Sequence, residues 1–330
     1  MNKVFGRRFM HTVSVIIPTY NRSNLVKEAI ESVLQQTYTD LEVLVVDDGS
    51  TDDTRSFVKQ IQDSRVKYYY KDKGGQSSAR NLGLMKAKGK YIAYLDEDDL
   101  WPPNYLETVL HQLNANKDYG ATYTPVIELC PDGEKRELSQ SKRCRSGWIT
   151  RYYFDLSPRL MPSATCFLKS AWEIFFWDEA LERSPDYDVF LRISTKTQFL
   201  FVPNTSIIKR SMPNSLSNAA NPIGPIDGAH TLERFYFHLG GNKHIPLKVA
   251  KSKISHRYRK AGKVSYALGN RHAAISLFKK AIYYYPLDIR LYVDLLRTLL
   301  HSKKHDKMPD WQMPEPLPPY ITVTQTNKDF

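Results

Sequence analysis

Residues 91–100 read YIAYLDEDDL. Tyr91 to Leu95 form an apolar, β-prone run, the pattern of a strand buried on both faces. Four carboxylates follow without a break: Asp96, Glu97, Asp98 and Asp99. Like charges this close oppose one another's ionisation. Such a cluster at the end of a buried strand calls for a compensating positive charge.

The same grammar recurs upstream. VSVIIP (13–18), LEVLVV (41–46) and RVKYYY (65–70) read as three more strands. Between them, residues 22–36 place Leu25, Ala29, Ile30, Val33 and Leu34 on one helical face. Thr51–Ile61 can form a helix capped by Ser50 or Thr51, and Ser77–Ala87 one closed by Gly89. Pro102 and Pro103 open another. Strands alternating with helices predict an α/β fold, a mostly parallel sheet with helices on both faces. Ligands bind such sheets beyond the carboxyl ends of the strands. Three strand ends carry polar sequence: PTYNR (18–22), VDDGS (46–50) and LDEDD (95–99). Their recurrence on one edge predicts a shared site.

A divalent cation relieves the repulsion among the acids, and hard oxygen ligands select Mg²⁺ or Mn²⁺. Such an ion also holds a substrate's phosphates. On this reading Asp98 is the direct ligand. Asp96 is its D-x-D partner or accepts a hydrogen bond from a ribose hydroxyl. Strand alternation turns Glu97 away, and Asp99 caps the next helix. Asp47 can accept a base-ring N–H, Tyr20 offers a stacking face, and Arg80 in SSARNLG (77–83) can neutralise diphosphate or position a carboxylate.

VSVIIPTYNR, VLVVDDGSTDDT, GGQSSARNLGL and YIAYLDEDDLW, in that order and spacing, resemble the family 2 glycosyltransferases over about residues 12–210. The resemblance implies a GT-A fold, a Rossmann-like mixed sheet. It implies transfer of a sugar from a nucleotide diphosphate sugar, usually UDP-linked, to an acceptor hydroxyl, with inversion and with Mn²⁺ or Mg²⁺. Pro18, Thr19, Tyr20 and Asp47 would line the base, Arg80 would sit near the donor, Asp96 would contact ribose and Asp98 the metal. The general base maps to Asp186 in RSPDYDVFLRI (183–193), with Asp188 as the fallback. Pro185 stands where the family has an acid. The implied acceptor is a glycan or lipid-linked glycan in surface-polysaccharide assembly.

The chain has 330 residues, 42% hydrophobic and 25% charged, which suits about two soluble domains. No apolar run is long enough for a transmembrane helix, and the N-terminus lacks the h-region of a secretory signal. Cys130, Cys144 and Cys166 form neither a zinc pattern nor a disulfide framework, consistent with a reducing cytoplasm. Residues 120–138 read as a hairpin around PDGE, 152–159 as a loop or short helix, 163–175 as strand then helix, 186–195 as a helix and 199–203 as a strand. The Asn-, Pro- and Gly-rich stretch 212–228 reads as a loop or active-site lid. This organisation gives a catalytic domain over 1–230, a basic helical region over 231–307 and a proline-rich extended tail over 308–330. Within the helical region, YALGNRHAAISLFKKAIYYYP (266–286) resembles half of a tetratricopeptide repeat.

Thr231 to Phe330 carries 18 Lys/Arg against 7 Asp/Glu, nearly all of the chain's formal net charge of +12. That asymmetry predicts contact with an anionic surface, a membrane at whose inner face the protein would be peripheral. No nucleic-acid recognition motif accompanies the charge. Two other functions compete. A sugar-phosphate nucleotidyltransferase needs a Gly-rich, basic loop after the first strand, which PTYNRS lacks. A non-catalytic scaffold acting through the basic C-terminus remains the alternative.

Overall fold

The apolar runs form strands β1 (His11–Thr19), β2 (Leu41–Asp47), β3 (Val66–Tyr70) and β4 (Gly89–Tyr94) in a computed structural model that describes residues 11–138, 144–156, 160–172, 176–181, 183–211, 222–300 and 311–323. β1 lies between β4 and β2, with β3 outside β2, and all these pairings are parallel. Every residue of β2 is buried, because helices cover both faces. Side chains alternate between two cores. Val13, Val15, Ile17, Val43 and Val45 meet Val26, Ala29, Ile30 and Val33 of α1 (Ser23–Leu34). Ile16, Leu44 and Val46 face the other way, with Ala79 and Leu84 of α3 (Gln76–Lys86). The short helix α2 (Thr54–Gln60) links β2 to β3. Gly83 lets α3 approach β1: a Cβ there would lie 2.4 Å from Cγ2 of Ile16.

The middle of the chain widens the sheet. After β5 (Asp99–Leu100) and α4 (Tyr105–Ala115) comes β6 (Tyr119–Tyr123), which joins the main sheet rather than the expected hairpin. The hairpin is instead β7 (Val126–Leu129) with β8 (Lys135–Glu137), antiparallel around Pro131–Gly133. α5 (Thr150–Leu156) precedes β9 (Thr165–Leu168), which inserts antiparallel between β4 and β6. Then follow α6 (Lys169–Trp172), α7 (Pro185–Ser194), β10 (Gln198–Phe201) and β11 (Ile207–Arg210). The seven-stranded sheet runs β10-β6-β9-β4-β1-β2-β3, and β5, β11, β7 and β8 form a second, four-stranded sheet. The fold is the mixed, mostly parallel α/β sheet that the sequence predicts, with a helical C-terminal extension.

That extension comprises α8 (Ile223–Phe237), α9 (Leu247–Ala267), α10 (Arg271–Tyr284) and α11 (Ile289–Leu300). Of the expected lid, 212–221 lies outside the described residues, and the rest is helical from Ile223. Gly269, at φ +82°, turns the chain between α9 and α10, and the Asn270 side chain caps α10 by accepting from the Ala273 N–H at 3.0 Å. Ile226, Ala229 and Phe235 of α8 and Ile254 and Tyr258 of α9 pack in one cluster with Phe154, Trp177 and Phe190. The apolar core therefore runs from the sheet into the C-terminal helices. The proline-rich segment 311–318 has no regular structure, but Trp311 and Met313 pack on that core. Beyond it, Glu179 N–H donates to the Thr322 carbonyl at 2.9 Å. No described helix is long and apolar enough to cross a membrane.

Candidate active site

The three polar strand ends meet at one edge. After β1, Asn21 adopts a left-handed φ of +52°, and its side-chain oxygen accepts from the Thr51 N–H at 2.7 Å. This ties the PTYNR loop to the VDDGS loop. Pro18 and Thr19 are buried at the tip of β1. The Tyr20 ring is partly exposed and lies 4.2 Å from the Lys73 ammonium, which also donates to its hydroxyl at 3.0 Å.

Asp47 does not offer an oxygen to the pocket. One oxygen accepts from the Ser50 N–H at 2.7 Å and the other from the Tyr68 hydroxyl at 2.6 Å. It follows Val45 in the alternation of β2 and points to the α1 side of the sheet, next to β3. Asp48 is equally committed: it accepts from Lys71 at 2.7 Å, Gly74 N–H at 2.9 Å and Gly75 N–H at 2.7 Å. These bonds fix the glycine loop that leads into α3.

The four acids separate into different environments. β4 ends at Tyr94, and Asp96 N–H donates to the Ser163 hydroxyl at 3.0 Å. The Asp96 carboxylate accepts from Arg80 at 2.6 Å and from the Gln76 amide at 3.2 Å. Arg80 is 2% exposed and lies 4.3 Å from the Trp177 ring centre. Glu97 does not point away as expected. It folds back to accept from the Tyr20 N–H at 3.1 Å and sits 3.4 Å from Arg22. Burial pushes its pKa up to about 7, with Thr19 and Arg22 pulling the other way. Asp98 lies 3.7 Å from Arg22; burial and the Asp96 charge raise its pKa, and Lys209 and Arg22 oppose the rise. Asp99 is no helix cap, since Asn104 precedes α4. It is fully buried in β5 opposite Lys209 of β11. Burial, with Asp96 and Asp98, lifts its pKa well above the carboxylate range.

Asp186 stands in the first turn of α7, behind Pro185 and a left-handed Ser184 at φ +54°. Burial raises its pKa; Arg80 lowers it and Asp96 adds to the rise. Its carboxyl therefore lies within electrostatic reach of the Arg80–Asp96 pair. Asp188 faces the core instead. Its oxygens accept from Arg192 and Arg234, each at 2.8 Å, and Arg234 also pairs with Asp178. Two groups were not singled out in the sequence. Arg22 touches both Glu97 and Asp98, and its signal was present in PTYNR. Arg210 clamps the acidic loop by donating to the carbonyls of Glu97 and Asp98, both at 2.9 Å. It comes from β11, more than a hundred residues away, and no local pattern marks it.

The donor set for a cation is oxygen-only: Asp98, with Asp96 near enough to raise its pKa. Among the described residues no group of three His, Cys, Asp or Glu side chains forms a complete cage. The pair fits Mg²⁺ or Mn²⁺, which take one or two carboxylates and fill the remaining positions from phosphate and water.

The profile of glycosyl transferase family 2 matches residues 14–175. Over those residues the chain is similar to the family 2 glycosyltransferases. An uncharacterized glycosyltransferase of Rickettsia prowazekii is 33% identical over 219 residues, 63% of this chain and 66% of that protein. The hyaluronan synthase of Pasteurella multocida is 32% identical over 197 residues, 57% of this chain and 19% of the synthase. The chain thus spans less than two thirds of the length of these relatives. Among solved structures, S. aureus TarS 1–349 in complex with UDP-GlcNAc superposes with a TM-score of 0.58 at 16% identity, covering 94% of this chain and 99% of that one. Likeness at that identity speaks for the fold alone, of GT-A type, and the matched residues 14–175 contain all three polar strand ends, Arg80 and Asp96. Asp186 follows the matched region in sequence.

Proposed function

We propose that this chain is an inverting glycosyltransferase that moves a sugar from a nucleotide diphosphate sugar to an acceptor hydroxyl. The observation that carries the reading is the meeting of three polar strand ends at one edge, where Arg80 is held on Asp96 at 2.6 Å. The names of relatives, a hyaluronan synthase and a chondroitin synthase, and TarS bound to UDP-GlcNAc support a UDP-linked donor and a role in polysaccharide assembly on a glycan or lipid-linked glycan.

Pro18, Thr19 and the Tyr20 ring line the base. Asp47 acts indirectly, by fixing the loop at Ser50. Arg80 orients Asp96 toward the ribose hydroxyls and places positive charge near the departing diphosphate. The acceptor oxygen attacks the anomeric carbon from the face opposite the diphosphate. As the new C–O bond forms, the bond to the diphosphate breaks, and the acceptor proton passes to Asp186. Attack from the far face inverts the configuration. Mg²⁺ or Mn²⁺ held by Asp98 would supply Lewis-acid charge to the diphosphate when bound.

The test is a panel of nucleotide sugars, assayed for release of nucleoside diphosphate with Mn²⁺ and with EDTA. Metal-dependent release with one or a few donors, lost in Asp98→Ala, is expected. No turnover and no donor binding across the panel would favour a scaffold acting through the basic C-terminus.

A further inference from the structure

α11 is apolar on two opposite faces. Leu291 and Thr298 are buried against the preceding helices. On the far side Ile289, Tyr292, Val293, Leu296, Leu299 and Leu300 recur at spacings of three and four residues, which puts them on one stripe. All six are exposed, Ile289 at 75%, Leu296 at 55% and Leu300 at 76%. Leu287, 83% exposed, and Tyr283, 76% exposed, extend the patch toward α10. A surface helix ordinarily turns polar residues outward, and a contiguous apolar patch marks an interaction surface.

The charge around the stripe selects the partner. From Leu247 to Leu300 the chain has 12 Lys/Arg and only two acids, Asp288 and Asp294. Both acids are neutralised in place. Asp288 pairs with Arg290 at 2.7 Å, and Asp294 pairs with Arg259 at 2.7 Å. Arg290 and Arg297 are exposed and fall together on one border of the stripe by the helical period. An apolar face edged by cations, with no unpaired acid between Leu247 and Leu300, suits the boundary between acyl chains and anionic headgroups.

We propose that the outer face of α11 docks on an anionic lipid bilayer, lying in the interface plane without crossing it. The proposal stands apart from the catalytic reading, since none of its residues belongs to the candidate active site.

Flotation of the full chain with vesicles of phosphatidylcholine alone, or containing about a third phosphatidylglycerol, tests it. The chain is expected to float with the anionic vesicles, less with the neutral ones, and less still as salt rises. Leu296→Gln/Leu300→Gln replaces two exposed side chains, so melting should be unchanged while binding to anionic vesicles falls about tenfold or more. A wild-type chain that stays with the buffer, or a folded double variant that floats like wild type, would overturn the proposal. So would a self-associated chain in sedimentation equilibrium that becomes monomeric in the double variant, since a second copy would then cover the stripe.

Discussion

Arg80 and Asp96 are joined by a 2.6 Å ion pair whose guanidinium lies over the Trp177 ring. The pair needs the fork and the flat face together, and lysine has neither. Arg80→Lys keeps the charge but loses the stack and the directed bond. Losing a charge-assisted bond of about 1.5–3 kcal/mol predicts a fall in kcat/KM of roughly ten- to a hundredfold. Steady-state kinetics with the best donor of the panel would check this. Wild-type kinetics in that variant would remove Asp96 orientation from the mechanism.

Asp186 and Asp188 share one helix turn but should fail in different ways. Asp186→Asn removes the proposed proton acceptor, so kcat should drop about 10²–10⁴-fold with little change in melting. The base works only when ionised. Burial holds its pKa above the ordinary aspartate range, so kcat/KM should rise with pH along a limb displaced upward from that range. The Asn variant should lack the limb. Asp188→Asn should cost stability before chemistry, because Arg192 and Arg234 each lose a buried charged partner. Equal activity of wild type and Asp186→Asn would move the base elsewhere.

The alternation of apolar runs and helical faces made the sheet legible, because a strand buried on both faces is mostly apolar. It did not reveal that β9 inserts antiparallel between β4 and β6, since an apolar strand looks the same in either direction. The acids were legible as a cluster but not one by one. Alternation was extended to Glu97, yet β4 ends at Tyr94 and the rule stops with the strand. Asp47 obeyed alternation, and that is why it turns to Tyr68 and not to the pocket. Arg210 reaches the acidic loop from β11, more than a hundred residues on, and long-range contacts leave no mark in local sequence.

Arg234 ties the helical extension to α7. It is 1% exposed and pairs with both Asp178 and Asp188. Arg234→Met would leave Asp178 buried without its cation and Asp188 with Arg192 alone. Breaking a buried ion network in this way costs about 3–5 kcal/mol. Urea unfolding should show a lowered midpoint of that order. A shift below about 1 kcal/mol would mean that water reaches the cluster.

His230 gives the helical extension an acid sensitivity of its own. It is 3% exposed in α8, with its ring 6.1 Å from that of Tyr258. Burial, aided by the Lys280 charge, lowers its pKa to about 4. In the unfolded chain an imidazole titrates near 6.5. The unfolded state therefore binds the proton first as pH falls, and protonation pulls the equilibrium toward unfolding. The stability that depends on a neutral His230 is complete above about pH 6.5 and is lost progressively down to about pH 4. The gap between the two pKa values corresponds to about 3 kcal/mol. His230→Gln cannot titrate, so the stability difference between wild type and variant should shift by that order across the same window. Carboxylates also titrate there, but they do so in both proteins and cancel in the difference. Parallel pH dependences in urea unfolding of the two proteins would show that water or a hydrogen-bond partner already supports the charged ring.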